Sequence, residues 1–313
     1  MINEDHISIL FCSYNGEKYL REQIDSIISQ THSNWTIYIS DDGSSDSTLK
    51  IIEEYIKKLP KNKIYLLKGP SKGFAANFLS LLRNKDIHSP YYAFSDQDDI
   101  WFDTRLERAL KLVKQAEQTT RDTCVLYGGR TKLIDAERRV IGLSPLFIRD
   151  FKLENALLQS YSGGNTMLFN HAIKNKIEML PEKIPIVSHD WYLYLVCAAF
   201  SGEIIYDREP QVLYRQHGDN IVGSNLGLLS KLSRLKRLYN GEFAQWNNIN
   251  KLSIEYFYPF LPKKQKEIID HFNSCGDESI FIRFRGFLSA KVYRQKKSES
   301  LLFMLMNVLG KIN

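Results

Sequence analysis

Tyr91-Tyr92-Ala93-Phe94-Ser95-Asp96-Gln97-Asp98-Asp99-Ile100-Trp101 reads as an apolar, aromatic strand that runs straight into a cluster of carboxylates. Asp96, Asp98 and Asp99 fall within four positions and repel one another, so a folded chain keeps them together only with a cation or a dense set of donors. Asp96 and Asp98, two apart on an extended segment, can face the same way. Hard oxygens at a strand end suit Mg²⁺ or Mn²⁺, which keep waters and share substrate phosphates instead of filling a protein cage. The plain alternative is a polar loop in which Asp99 caps the helix after Trp101.

Upstream of this motif, short apolar strands alternate with amphipathic helices, which predicts βαβ units and a mostly parallel sheet. Strands are expected over 7–11, 35–39, 64–67 and 91–94, and helices over 17–30, 49–58 and 74–82. In open α/β sheets ligands bind beyond the carboxyl ends of the strands. Four loops should therefore converge on one cleft: Ser13-Tyr14-Asn15-Gly16, Asp41-Asp42-Gly43-Ser44, the turn over 68–73, and the acidic loop after Phe94. From 124 to 225 the pattern is irregular, with a strand at 125–127, a glycine-rich stretch at Ser162-Gly163-Gly164-Asn165, the helical SHDWYLYLVCAAF, and strand-like segments at 203–207 and 211–217. Beyond 226 the periodicity is helical, over 228–238, 243–257 and 299–311.

With 43% apolar and 25% charged residues, the 313-residue chain is neither disordered nor membrane-embedded in composition. The opening MINEDHISILFCSYNG starts acidic and has only a short apolar stretch, which fits a first strand better than an export signal, so the mature chain is expected to begin near Met1. The longest apolar runs, around 191–200 and 301–309, are well short of the ~20 residues that span a bilayer. Cys12, Cys124, Cys197 and Cys275 are widely separated and lack zinc or disulfide spacing, which predicts reduced core thiols in a cytoplasmic protein. Residues 1–225 carry 27 Lys and Arg against 29 Asp and Glu, whereas 226–313 carry 15 against 7. A basic tail of this kind predicts an anionic partner.

Three further constellations carry chemistry. Asp42, Ser44, Asp46, Thr48 and Glu53 mimic a calcium loop, but Ser47 stands where that loop needs glycine and a strand precedes it, so a calcium site is rejected. Asp41 or Asp42 is instead expected to meet a nucleotide base or ribose, with Ser45, Asp46 or Ser47 capping the next helix. In Ser188-His189-Asp190-Trp191, Asp190 at a helix start can serve as a general base, the alternative being a simple cap. His217, beside Arg215 in LYRQHGDN, is a candidate metal ligand alongside Asp98.

Taken in order, CSYNGEKYL, DDGSSDST, GPSKGFAANF, SDQDDIW, GGNTMLFN, SHDW and LYRQHGDN resemble the inverting family 2 glycosyltransferases of the GT-A fold, over residues 5 to about 223. Within that family the chain looks most like bacterial rhamnosyltransferase-like enzymes that build cell-surface polysaccharides from dTDP-L-rhamnose. The resemblance implies a nucleotide-diphospho-sugar transferase fold, a mixed sheet flanked by helices, over 1–225. A basic helical extension over 226–313 follows it. Ser13, Tyr14, Asn15, Asp41, Asp42, Gly73, Asn77 and Asp96 then belong to the donor nucleotide site, Asp98 and His217 to Mg²⁺ or Mn²⁺, and Asp190 to the base. His189 stands where many members have Glu. The implied partners are a dTDP- or UDP-sugar, a glycan or lipid-linked acceptor, and no nucleic acid. The tail should serve attachment to the inner face of the cell membrane or formation of a homodimer. A nucleotidyltransferase would need a basic triphosphate loop after its first strand, and Ser13-Tyr14-Asn15-Gly16 offers none. A non-catalytic binding protein would have no use for both the metal and the base aspartates.

Overall fold

The structure is a computed structural model that describes residues 4–119, 123–216, 238 and 240–312. All seven residues of β1 (Ile7–Ser13) are buried. Such a strand shows no polar alternation because both of its faces are covered. Ile7, Ile9 and Phe11 point into one apolar cluster with α1 (Leu20–Ile28), α2 (Thr48–Lys58) and α4 (Arg105–Thr119). Leu10 and Cys12 point into a second cluster with α3 (Phe74–Arg83), α6 (His171–Met179) and α7 (His189–Ala199). The result is a three-layer α/β body with the sheet in the middle.

β2 (Trp35–Asp41), β3 (Ile64–Lys68) and β4 (Tyr91–Ser95) join β1 in parallel. In the paired register Ser13 lies against Asp41, and Asp41 against Lys68, so these strands end on one edge of the sheet. Beyond β4 the expected parallel pattern gives way to a mixed sheet. β9 (Leu168–Asn170) runs antiparallel between β4 and β6 (Val125–Gly129), and β10 (Glu203–Asp207) closes the order β10-β6-β9-β4-β1-β2-β3. A three-residue strand carries too few side chains to declare itself by periodicity. The same applies to the small second sheet, β5-β11-β7-β8, made of β5 (Ile100–Trp101), β7 (Lys132–Ile134), β8 (Val140–Leu143) and β11 (Val212–Arg215).

After the short α5 (Leu153–Ala156), α6 and α7, the chain ends in α8 (Glu242–Phe257), α9 (Lys263–Asn273), α10 (Ile280–Ala290) and α11 (Lys297–Val308). The sequence reading anticipated α8 and α11 and missed α9 and α10. Phe243, Ile254, Phe257, Phe272, Phe287 and Phe303 of these helices share the apolar cluster of α7, so the C-terminal helices are built onto the same core. The basic residues Lys231, Arg234, Lys236 and Arg237 lie outside the described residues. Among the described residues no helix is long and apolar enough to cross a membrane.

The four cysteines are buried and unpaired. Burial pushes the Cys12 and Cys197 thiols well above their ordinary value, Cys124 up to about 11 and Cys275 up to about 12. Since the thiolate is the reactive form, the native chain should leave all four untouched by a thiol-specific chromogenic reagent near neutral pH. All four should titrate at once in denaturant. Rapid labelling of any of them in native buffer would contradict this packing.

Candidate active site

The loops at the carboxyl edge hold one another by side chain to backbone bonds. The Asp41 carboxylate accepts from Ser13 Oγ (2.8 Å), from the Gly43 and Ser44 amides (3.1 and 2.8 Å) and from Ser44 Oγ (2.6 Å). Asp42 accepts from the Ser71 and Gly73 amides at 2.7 and 2.8 Å, clamping the turn after β3. Asn77 is buried beneath, exchanging bonds with Ser40: its Oδ1 accepts from Ser40 Oγ (2.6 Å) and its Nδ2 donates to the Ser40 carbonyl (2.9 Å). Gly69 closes this knot, since a Cβ there would meet Asn77 Oδ1, the Asp41 carbonyl and Asp42 Oδ1 at 2.8 Å each. Asp41, Asp42 and Asn77 thus come together as anticipated, but their polar atoms build the loops. A carboxylate's position is legible in a sequence; the direction of its bonds is not.

Tyr14 and Asn15 lie at the rim, with the Tyr14 side chain 58% exposed. Asn15 takes a positive φ of 47° and ties β1 to the second loop, donating from its amide to Ser44 Oγ and accepting at Oδ1 from the Ser45 amide. Gln97 reaches across from the acidic loop: it accepts from the Tyr14 amide (2.8 Å) and donates to the Tyr14 carbonyl (2.9 Å). Gly16 leaves the room for this contact, because a Cβ there would lie 2.2 Å from Gln97 Oε1. Asp46, not a serine, holds the start of α2, accepting from the Thr48 amide at 3.0 Å.

In the acidic loop the three aspartates have separate fates. Asp99 is fully buried and accepts from Asn165 Nδ2 (2.6 Å) and the Arg215 amide (3.1 Å), which joins the loop to the glycine-rich stretch and to β11 rather than capping α4. Burial, then Asp98 and Asp96, hold its carboxyl well above the carboxylate range. The buried Arg215 donates to the Asp98 carbonyl (2.9 Å), the Ala136 carbonyl (3.1 Å) and Glu22 (2.5 Å). Gln23, with its amide oxygen facing donors, accepts from Ser95 Oγ and Trp101 Nε1 and donates to the Asp99 carbonyl. Sequence reasoning singled out none of Gln23, Glu22 and Asn165, because polar residues on an amphipathic helix or in a glycine-rich loop carry no local signal of burial. Asp96 is half-buried, and burial followed by the nearby charges of Asp98 and Asp190 raises its carboxyl to about 7.

Asp190 stands in the first turn of α7, its Oδ1 accepting from the Trp191 amide at 2.8 Å. The neighbouring His189 turns inward. Its ring stacks on Phe78 (centroids 3.9 Å apart), meets Phe94 edge-on at 4.7 Å, and has no hydrogen-bond partner at either nitrogen. Burial lowers the imidazole to about 4, so it is neutral and packs as an aromatic. Gly164 makes this possible: a Cβ there would lie 2.1 Å from His189 Nε2. One glycine of the glycine-rich stretch therefore fixes where α7 begins, and with it Asp190.

The charges of Asp98 and Asp190 both act on Asp96, adding to the larger effect of its burial, and such carboxylates are the hard oxygen donors that suit a divalent cation. Among the described residues no group of three or more His, Cys, Asp or Glu is placed to hold a metal ion by itself. His217 lies outside the described residues.

The model of the family described as glycosyl transferase family 2 matches residues 8–175. The chain belongs to that family. It is 29% identical to the dTDP-rhamnosyl transferase RfbG of Shigella flexneri, over 95% of this chain and 99% of RfbG. It is 28% identical to an uncharacterized glycosyltransferase of a Nostoc strain, over 68% of this chain and 66% of that protein. In fold it matches the crystal structure of Staphylococcus aureus TarS 1–349, with a TM-score of 0.58 at 17% identity, over 98% of this chain and 81% of TarS 1–349. The mixed sheet flanked by helices is thus the GT-A architecture, and the edge just described is the candidate active site of a family 2 glycosyltransferase.

His189 makes the site acid-labile. Its imidazole takes up a proton near 6.5 when unfolded and only near 4 when folded, so between these values the unfolded state binds more protons. The imidazole's contribution to stability should be full above about pH 6.5 and fall on the way to pH 4 by an amount on the order of 3 kcal/mol, set against the raised Asp96 carboxyl, which contributes in the opposite direction as pH falls. His189→Leu should flatten that fall when urea unfolding is compared at about pH 7.5 and about pH 5. An unchanged difference would rule out the buried imidazole as its cause. Gly164→Ala, which drives a methyl into the same ring, should cost roughly 1–3 kcal/mol by the same assay.

Proposed function

We propose that the chain transfers L-rhamnose from dTDP-L-rhamnose, with inversion, to a hydroxyl of a cell-surface glycan or a lipid-linked acceptor. Membership of the family supports sugar transfer, and the near full-length similarity to RfbG, named a dTDP-rhamnosyl transferase, supports the donor. The observation that carries the reading is the set of loops bonded to one another at the carboxyl edge of the parallel strands, with Asp96 there close enough to Asp98 and Asp190 for their charges to add to the larger effect of its burial.

In this reading the donor nucleotide lies along the loops after β1, β2 and β3, where Ser13, Asn15, Asp41, Asp42, Gly73 and Asn77 shape the wall. Tyr14, the exposed aromatic of that rim, offers a face to the base. Asp41 and Asp42 support the nucleotide chiefly by fixing the shape of the loops, because their oxygens and the loop amides they bind already engage one another. Asp98, with Asp96 behind it and His217 as a further ligand, would hold Mg²⁺ or Mn²⁺. That ion, when bound, neutralises the charge that grows on the leaving diphosphate. Asp190 accepts the proton of the acceptor hydroxyl as its oxygen bonds to the anomeric carbon, and the electron pair of the breaking C–O bond leaves with the nucleoside diphosphate. The neutral His189 behind it brings no charge to the base, which keeps the carboxylate's partner the substrate hydroxyl.

A panel of dTDP- and UDP-sugars, scored for nucleoside diphosphate release with and without divalent ion, tests the donor: dTDP-L-rhamnose should be turned over best, and preference for a UDP-sugar would replace it. General base assistance is typically worth ~10²- to 10⁴-fold in rate, so Asp190→Asn should lose that much turnover while donor binding persists. Asp98→Ala should weaken donor binding in the presence of the ion and leave the weak ion-free binding unchanged. Near-normal turnover by Asp190→Asn would show that the base lies elsewhere.

A further inference from the structure

α10 and α11 pack against each other with their apolar surplus facing out. α10 buries Gly286, Phe287 and Ala290 and is pressed against the end of α9, where a Cβ at Gly286 would meet the His271 carbonyl at 2.9 Å. Its other side exposes Phe281 (71%), Phe284 and Leu288 at helical spacing, with Ile280 at its start. From Leu301 to Val308, α11 has Asn307 as its one polar residue. Asn307 turns inward and donates to the Arg283 carbonyl (2.9 Å), and Arg283 donates back to the Val308 carbonyl (2.7 Å), which fixes the rotation of α11 against α10. Phe303 is buried with it, while Leu301, Leu305 and Leu309, four apart, are each more than half exposed. Two locked helices thus each present an apolar stripe to solvent, a surface of the kind that marks an interaction site.

Cations border the stripes. Arg285 is exposed on α10, and an open groove of about 330 Å³ beside Leu288 is lined by Arg149, Lys291, Lys297 and Ser300. Arg149 is held in place by stacking on Tyr293 (4.1 Å) and by donating to the Arg294 carbonyl (2.8 Å). Among the described residues neither Lys291 nor Lys297 forms a salt bridge, whereas Glu299 is taken by Arg294 and Lys296. Of the acids near this end, Asp277 and Glu278 precede α10 and offer carbonyls to Arg283, while Asp150 and Glu154 lie close enough to act on Tyr293 of the groove, with Asp150 paired to Lys152.

We propose that this face docks on an anionic lipid bilayer, with the stripes of α10 and α11 entering the interface and the groove receiving lipid phosphates. A bilayer suits both halves of the surface, since interfacial helices combine buried apolar area with basic residues at headgroup level. A second copy suits only the apolar half. An isologous dimer through these stripes would gather Arg285, Lys291 and Lys297 of both copies around one interface, and like charges so gathered oppose association. The inference uses neither the donor nor the metal assignment, so it stands or falls apart from them.

The test is flotation of the full chain with vesicles of phosphatidylcholine, with or without phosphatidylglycerol, alongside light scattering for its mass in solution. The chain should float with the anionic vesicles and much less with the neutral ones. Lys291→Glu with Lys297→Glu should reduce anionic flotation by roughly tenfold or more. Leu301→Ser with Leu305→Ser should reduce it at an unchanged thermal melt, because both side chains are exposed. Three results would overturn the proposal: no flotation on anionic vesicles, flotation indifferent to the lysine reversals, or serine variants that turn a dimer into a monomer without touching flotation. Donor turnover in detergent-free buffer should be unchanged in both variants.

Discussion

The Arg215 guanidinium is wholly buried, and the polar interior behind the acidic loop is arranged around it. A charge taken out of water is tolerated only when its donors are met, and here they reach the Asp98 carbonyl, the Ala136 carbonyl and Glu22, with the Tyr19 ring 4.3 Å below. Its own amide donates to Asp99. One residue at the end of β11 therefore joins the second sheet, α1 and the loop after β4. The loop that concentrates negative charge is fixed by its backbone and by Asp99.

That arrangement divides the carboxylates of the edge into two kinds. Asp41, Asp42, Asp46 and Asp99 accept from protein donors and fix loop geometry. Asp96 is raised to about 7 by its burial first and then by the charges of Asp98 and Asp190, so it sits where a carboxylate is costly. A fold gains nothing in stability by collecting such charges. Where unfavourable charge is held in place by an otherwise well-satisfied frame, the site is a candidate for chemistry that needs it.

Much of this was legible in the sequence. The four parallel strands declare themselves by continuous apolar runs, and their polar continuations fall on one edge because parallel strands share a direction. The calcium pattern, rejected for Ser47 in the glycine position and the strand before it, is dissolved in the structure by other bonds: Asp42 clamps the turn after β3, and Asp46 holds the start of α2. What the sequence hid depends on partners far along the chain. β9 and the small sheet are too short for a period, α9 and α10 are decided by packing on one another, and His189 looks like a polar neighbour of Asp190 until Gly164 admits its ring to the core.

The C-terminal helices share their core with the helix that carries Asp190. Trp191, the residue after Asp190, donates from Nε1 to the Ala156 carbonyl and packs on Phe243 of α8, whose ring meets Phe303 of α11 edge-on at 4.7 Å. Interiors packed this closely transmit position, because aromatic side chains in contact leave no slack to absorb a shift. The helix that carries Asp190 and the helix that carries the exposed leucine stripe are therefore parts of one rigid core. A lipid surface bound at Leu301, Leu305 and Leu309 would hold the acidic edge at a set height and angle above the bilayer. For an acceptor anchored in that bilayer, such a fixed relation reduces the search for a reactive pose from three dimensions to motion along the membrane.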